Sequence, residues 1–242
     1  MRANRFAQCF SFTVMSTVKA ISFLFYRFEI KWLSKKKFEA LDDVKLIVLL
    51  NHTSLFEALF VRLAPFRFLW KIARHLLIPI ADITASRPVV GKFFNALVPG
   101  FVPISRKRDE SWDNFLKRVN DDAIVAILPE GRMRRHDGND KHGNPMTVRT
   151  GVADIIEELD DGKVLFIYSG GMHHVQIPGQ TLPKLFKKIK VNMEMVDIND
   201  YKDILHHPEK KTRKAKIVKD IQKRLEDFTP FCKRQPYNKN DE

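Results

Sequence analysis

Cysteine is scarce: the 242 residues hold 2, Cys9 and Cys232, one near each end. That spacing excludes a disulfide scaffold and a CxxC-type zinc module, and it fits a reducing compartment. There is no Walker loop, no G-x-G-x-x-G turn and no G-x-S-x-G elbow, which removes the nucleotide-cradling and serine-nucleophile classes built on them. Internal repeats and low-complexity tracts are absent. No apolar run reaches the ~20 residues of a clean membrane span. The longest, residues 10–26, carries Lys19 in its middle. A cleaved signal peptide is disfavoured, because that lysine interrupts the apolar region and no small-x-small site precedes Arg27. His173-His174 and His206-His207 lack Cys or paired carboxylates at ligand spacing, so no metal is expected.

Phenylalanine and positive charge are abundant instead. The chain has 19 Phe within a 44% hydrophobic composition, and 42 Lys+Arg against 29 Asp+Glu give a net charge of +13. One catalytic-size domain with a substantial core fits this length. The basic excess points to an anionic partner: nucleic acid, an acidic membrane surface or a phosphorylated small molecule. At helical spacing, Phe10, Val14, Val18, Ile21 and Phe25 fall along one side of the N-terminal segment, and Ser11, Lys19 and Ser22 fall along another. Arg2, Arg5, Arg27, Lys31 and Lys35-Lys36-Lys37 flank it. This pattern predicts a helix lying on an anionic membrane surface, on the cytoplasmic face, peripheral or monotopic. A helix docked on the protein's own core is the alternative. Ala215 to Phe228 form a second basic amphipathic segment.

The runs VKLIVLL (44–50), IVAIL (124–128) and VLFIY (164–168) have the length and continuity of buried strands. Helical patterns over 55–63, 112–119 and 152–159 alternate with them. The predicted class is therefore α/β, a single domain with a mostly parallel central sheet flanked by helices. Residues 136–147 are a polar loop. The expected organisation is an N-terminal membrane-associating helix over 1–37, a catalytic domain over 38–230 and a polar tail over 231–242.

Chemistry concentrates at three places. The first strand ends in Asn51-His52-Thr53-Ser54-Leu55-Phe56-Glu57. Five residues along one helix turn through about 500°, so His52 and Glu57 can meet only if His52 stays at the strand end and Glu57 sits in the first helical turn. Thr53 and Ser54 are good cap residues for that break. A carboxylate on one imidazole nitrogen then frees the other to take a proton from a hydroxyl. The second place is Leu128-Pro129-Glu130-Gly131-Arg132, with Arg134 and Arg135 following at the carboxyl end of a strand, where open α/β sheets hold ligands. The third is Gly100 to Arg106. Each alone is weak, since a capping His or a solvated arginine turn is the commoner reading.

In this order the three resemble the motifs of the glycerolipid acyltransferase family, typified by 1-acylglycerol-3-phosphate O-acyltransferases. The family's N-H-x-S-x-x-D motif is met by Asn51 to Glu57, its G-x-x-x-I-x-R by Gly100, Ile104 and Arg106, and its F-P-E-G-T-R-S by Pro129, Glu130 and Gly131. Lys71 after a strand-like Phe68 to Trp70, the Pro88 and Gly91 pair, and Arg149-Thr150-Gly151 also fall where the family carries similar residues. Glu57 replaces the usual Asp, Arg132-Met133-Arg134 replaces Thr-Arg-Ser, and Val164 to Tyr168 lacks the proline of the fourth motif. The resemblance implies acyl transfer from acyl-CoA or acyl carrier protein to a hydroxyl of a lysophospholipid-like acceptor. It makes His52 the base, Glu57 its orienter, and Arg106, Glu130, Gly131 and Arg132 the acceptor-binding residues. No cofactor and no nucleic acid are implied. Another lipid acceptor, such as an aminolipid or polyketide-related product, and an inactive lipid- or nucleic-acid-binding scaffold are the rivals.

Overall fold

The three continuous apolar runs lie side by side at the centre of one seven-stranded sheet. The computed structural model describes residues 5–35, 38–82, 100–105, 109–119, 122–177, 180 and 182–230. Its strands are β1 (Arg27–Trp32), β2 (Val44–Leu50), β3 (Leu76–Ala81), β4 (Phe101–Ile104), β5 (Ile124–Ile127), β6 (Lys163–Ser169) and β7 (Lys188–Asp197). Their order is β1-β7-β6-β2-β5-β3-β4. Every neighbouring pair is parallel except β6 with β7. The α/β class and the mostly parallel sheet stand as the sequence predicts. Arg27–Trp32, placed with the N-terminal segment by sequence, is the edge strand pairing with β7.

Two apolar layers cover the sheet. On one face pack α1 (Arg5–Phe25), a 3-10 segment (Leu55–Leu63) and α2 (Phe66–His75); on the other pack α3 (Glu110–Leu116), α4 (Gly151–Glu158), α5 (Ile198–Ile204) and α6 (Lys210–Phe228). Phe68 to Trp70, strand-like in sequence, are helical, because Pro65 sets the helix start and Phe68, Leu69, Ile72 and Ala73 repeat along one buried face. The alternation of β2 is informative: Leu46, Val48 and Leu50 are fully buried, whereas Ile47 and Leu49, facing the α1 and α2 layer, are only half-buried. Ile47 and Leu49 are half-buried because that face of β2 borders a cavity.

The α6 segment turns its apolar residues inward. Ile217, Ile221 and Leu225 belong to the core, and Val218 and Phe228 pack against it. That face is therefore spent on the protein, and only the basic side remains outward.

The polarity of α1 is reversed relative to a helix covering a water-soluble core. Ser11, Met15, Lys19 and Ser22 are its buried residues, whereas Phe6, Phe10, Phe23 and Leu24 are 79%, 50%, 57% and 70% exposed. Lys19 explains the docking: its Nζ donates to the carbonyls of Arg62 (2.7 Å) and Ala64 (2.8 Å), at the end of the 3-10 segment. Arg62 returns the favour to α1, donating to the carbonyls of Ser22 (2.8 Å) and Tyr26 (2.7 Å). Each cation thus donates to carbonyls at the other element's end, where intrahelical donors run out. Burial, and then the nearby Arg62, lower the pKa of Lys19. Among the described residues α1 is the one helix long and apolar enough to cross a membrane.

Candidate active site

The site grows from the end of β2. Asn51 takes a left-handed backbone conformation (φ 64°), which Asn tolerates better than most residues. Its side-chain amide donates to the Ser169 carbonyl at the end of β6 (2.9 Å). The chain leaves the sheet there, and Ser54 caps the 3-10 segment: its Oγ accepts from Phe56 N–H (3.2 Å), with Glu57 completing a capping box. This is the break that the spacing of His52 and Glu57 requires.

Glu57 is buried and fully engaged. Its Oε1 accepts from the backbone N–H groups of Thr53 (2.6 Å) and Ser54 (3.3 Å), and its Oε2 accepts from His52 Nδ1. The imidazole is thereby fixed with its proton on Nδ1, leaving Nε2 as the base. Burial alone pushes the His52 pKa down; the Glu57 carboxylate, with a smaller contribution from Glu130, overcomes it, and the net direction is upward.

The second constellation braces the first. Glu130 is 1% exposed. One of its oxygens accepts the His52 backbone N–H (2.7 Å) and the other pairs with Arg134 (3.0 Å). Burial pushes the Glu130 carboxyl upward in spite of both contacts. Arg134 N–H donates to the His52 carbonyl (2.7 Å), and His173 Nε2 donates to the Arg134 carbonyl (2.8 Å). Burial lowers the pKa of His173, which suits a neutral donor. Gly131 makes the turn at φ 68°, beside the Arg149 side chain. Arg132 pairs with buried Asp140, whose carboxylate also accepts from the backbone of His142 (2.7 Å) and Asn144 (3.0 Å). Although burial raises the Asp140 pKa, these donors hold it well below the carboxylate range.

A cavity of about 760 Å³ opens against this arrangement, within the ~300–1,000 Å³ range of small-molecule sites. His52, Glu57, Glu130, Gly131 and Arg132 line it, as do Arg135, Lys141 and Arg149. The half-buried Ile47 and Leu49 form its floor with Leu165, Ile167 and Met193, and Met15 of α1 and Phe68 and Ile72 of α2 are across from them. The lining is therefore a cationic and catalytic rim on an apolar chamber. Arg135, Lys141 and Arg149 meet no carboxylate among the described residues.

Four of the six residues singled out by sequence, His52, Glu57, Glu130 and Gly131, meet around the strand ends, and Arg132 joins them at the rim. Arg106 lies outside the described residues. Sequence reading gave Asn51 no role beyond its place in the motif, considered His173 only as a metal ligand and set it aside, and did not single out Asp140 or Gln176, whose amide oxygen accepts from the Ser54 hydroxyl (2.9 Å). Asn51 left a local signal, an Asn at a strand end before the His, and Asp140 lies only eight positions from Arg132 in a polar loop; His173 and Gln176 act across 39 and 122 positions of sequence. Among the described residues no group of three or more His, Cys, Asp or Glu side chains has metal-binding geometry.

Comparison with known proteins bears on the same residues. The family model described as Acyltransferase matches residues 33–171, more than half of the chain. No curated protein matches it. A solved structure, the 1-acyl-sn-glycerophosphate (LPA) acyltransferase PlsC from Thermotoga maritima, superposes with a TM-score of 0.54 over 94% of this chain and 84% of that one. At 17% identity this likeness is one of fold. The matched stretch contains His52, Glu57 and the Glu130 brace, the elements from which the site is built, and the chain belongs to the acyltransferase family.

Proposed function

We propose that the protein moves a fatty acyl group from a thioester, acyl-CoA or acyl carrier protein, to a hydroxyl of a lysophospholipid-like acceptor such as 1-acylglycerol-3-phosphate, working at a membrane surface. The observation that carries this reading is the His52–Glu57 pair opening onto a large apolar chamber with a cationic rim. His52 Nε2 takes the proton of the acceptor hydroxyl while its oxygen attacks the thioester carbonyl. Glu57 stabilises the imidazolium that forms. Collapse of the tetrahedral intermediate breaks the C–S bond, and the imidazolium returns the proton to the departing thiolate. The chamber suits an acyl chain. The rim arginines, Arg149 and Arg135 first because no carboxylate occupies them, suit the acceptor's phosphate.

Glu130 supports this reading as a brace for the His52 backbone, and Arg132 as a brace for the rim loop through Asp140. The exposed face of α1 supports membrane association. The test is transfer of a labelled acyl group from acyl-CoA to lysophosphatidate, with a lyso-aminolipid offered in parallel. Turnover by the wild type that disappears in His52→Ala, with the fold retained, is expected. Turnover in both proteins alike would refute the base assignment, and preference for the aminolipid would move the acceptor to that class.

A further inference from the structure

The exposed apolar surface does not end with α1. Leu182, Leu185 and Phe186, just before β7, are 79%, 44% and 73% exposed. Phe186 N–H donates to the Phe25 carbonyl (2.7 Å), and Arg27 N–H donates to the Lys187 carbonyl (3.1 Å). The Phe25 and Phe186 rings meet edge to face at 5.8 Å. This turn is therefore stitched across the junction of α1 and β1, beside the exposed Phe23 and Leu24.

Phe186 also has φ 59°. A bulky residue in that region is held against its preference, and such strain persists only where the surroundings impose it. Here the strain does not seat the ring in the core; it presents the ring outward, next to the apolar face of α1. Lys184, Lys187 and Lys188 are exposed around it. Lys188 pairs with Glu29 (2.9 Å), and no carboxylate among the described residues meets Lys184 or Lys187. Apolar side chains outward with cations around them are what an anionic bilayer interface accepts.

We infer that residues 182–186 form a second membrane-contacting element, in which Leu182 and Phe186 enter the interfacial region of an anionic bilayer and Lys184 and Lys187 meet its headgroups. The inference rests on the membrane-surface reading proposed above and adds a second point of contact. Two contacts fix the tilt of the domain, whereas a single helix leaves it free to roll.

The test uses the full chain with Cys9 and Cys232 replaced by Ser and an environment-sensitive fluorophore at Leu182→Cys or, in a second protein, at Phe6→Cys. Vesicles of phosphatidylcholine with and without phosphatidylglycerol are the probe. Both fluorophores should shift to the blue and resist an aqueous quencher on vesicles that contain the anionic lipid. A response at position 6 alone overturns the inference and leaves the membrane reading standing. Silence at both overturns the two together. A blue shift at position 182 that needs no vesicles and grows with protein concentration marks a contact between copies of the chain and also overturns it. Phe186→Gly, made in the unlabelled protein, relieves the backbone while deleting the ring, so its Tm should not fall, yet vesicle partitioning should drop about tenfold. Unchanged partitioning in that variant refutes the role of the ring. Lys184→Gln should cost about fivefold, on anionic vesicles only.

Discussion

Replacing Glu57 with Gln keeps the size of the side chain and removes its charge, and the site has no comfortable orientation for the amide. If the Gln oxygen stays on Thr53 and Ser54, whose N–H groups lie 2.6 and 3.3 Å from Oε1, its NH2 faces His52 Nδ1. The imidazole must then carry its proton on Nε2, where the base should be. If the amide flips, its NH2 faces two backbone donors, leaving buried N–H groups unpaired at about 1–3 kcal/mol. The first orientation is the cheaper, so the wrong tautomer should dominate. By analogy with a His held by Asn in place of Asp in serine proteases, the loss is about 10⁴-fold in kcat, about 5 kcal/mol. The pH profile supplies a second readout. In the wild type, Glu57 overrides the downward push of burial and holds His52 above its ordinary range. Activity should therefore fall on the acid side through a pKa above ~6.5. In Glu57→Gln the burial effect is unopposed by that charge, so the acid limb of the residual kcat/KM should move to lower pH. The assay is release of free thiol from acyl-CoA across pH 5–9, with circular dichroism to confirm folding. Activity within tenfold of the wild type and an unmoved acid limb would refute the dyad.

Three further outcomes are expected. Arg149→Ala should raise the acceptor KM about tenfold or more and leave the donor KM nearly unchanged, while Arg132→Ala, whose guanidinium is held by Asp140, should lower the melting temperature as well; steady-state kinetics on both substrates separates the two. Leu49→Phe, on the half-buried floor of the chamber, should favour shorter acyl donors, read as the ratio of kcat/KM across a chain-length series. Arg224→Met should destabilise the fold by about 3 kcal/mol in urea titration, because it strips the cation from Glu194 (2.7 Å) and Asp220 (2.6 Å), the carboxylates that accept from Tyr168 and Tyr201.

What the sequence disclosed follows from which interactions are local. Leu46 to Leu50 and Val164 to Tyr168 are unbroken apolar runs because one face of each meets the core and the other meets core or the apolar chamber, and their class is legible without partners. The His52–Glu57 pair is equally local: the break, the cap and the carboxylate lie within six residues. By contrast β1 has the burial pattern of an edge strand with little apolar alternation, and its place is set by β7, more than 150 positions away. Phe68 to Trp70 misled because three large apolar residues in a row have no period; the helix became visible only with Ile72 and Ala73 included. The Glu130 brace was legible as a motif but not as a contact, since the partner of its carboxylate is a backbone N–H 78 residues earlier.

Lys19 joins the two halves of the functional argument. In a freely inserted helix, a lysine in the middle of an apolar stretch is costly, and by that reasoning it counts against a span. Its observed partners turn the objection into an explanation: the ammonium lies against the carbonyls of Arg62 and Ala64, so α1 is fixed to the domain along its polar side. One helix then has two apolar duties. Met15, one turn from Lys19, lines the chamber above Leu49 and Leu165, while Phe6, Phe10 and Leu24 look away from the protein. A helix that floated free in lipid could not complete the chamber wall. A helix buried in a soluble core would not leave those phenylalanines outside. The arrangement brings an apolar exterior within one helix diameter of the chamber beside His52, which is the geometry that the proposed transfer to a bilayer-held acceptor requires.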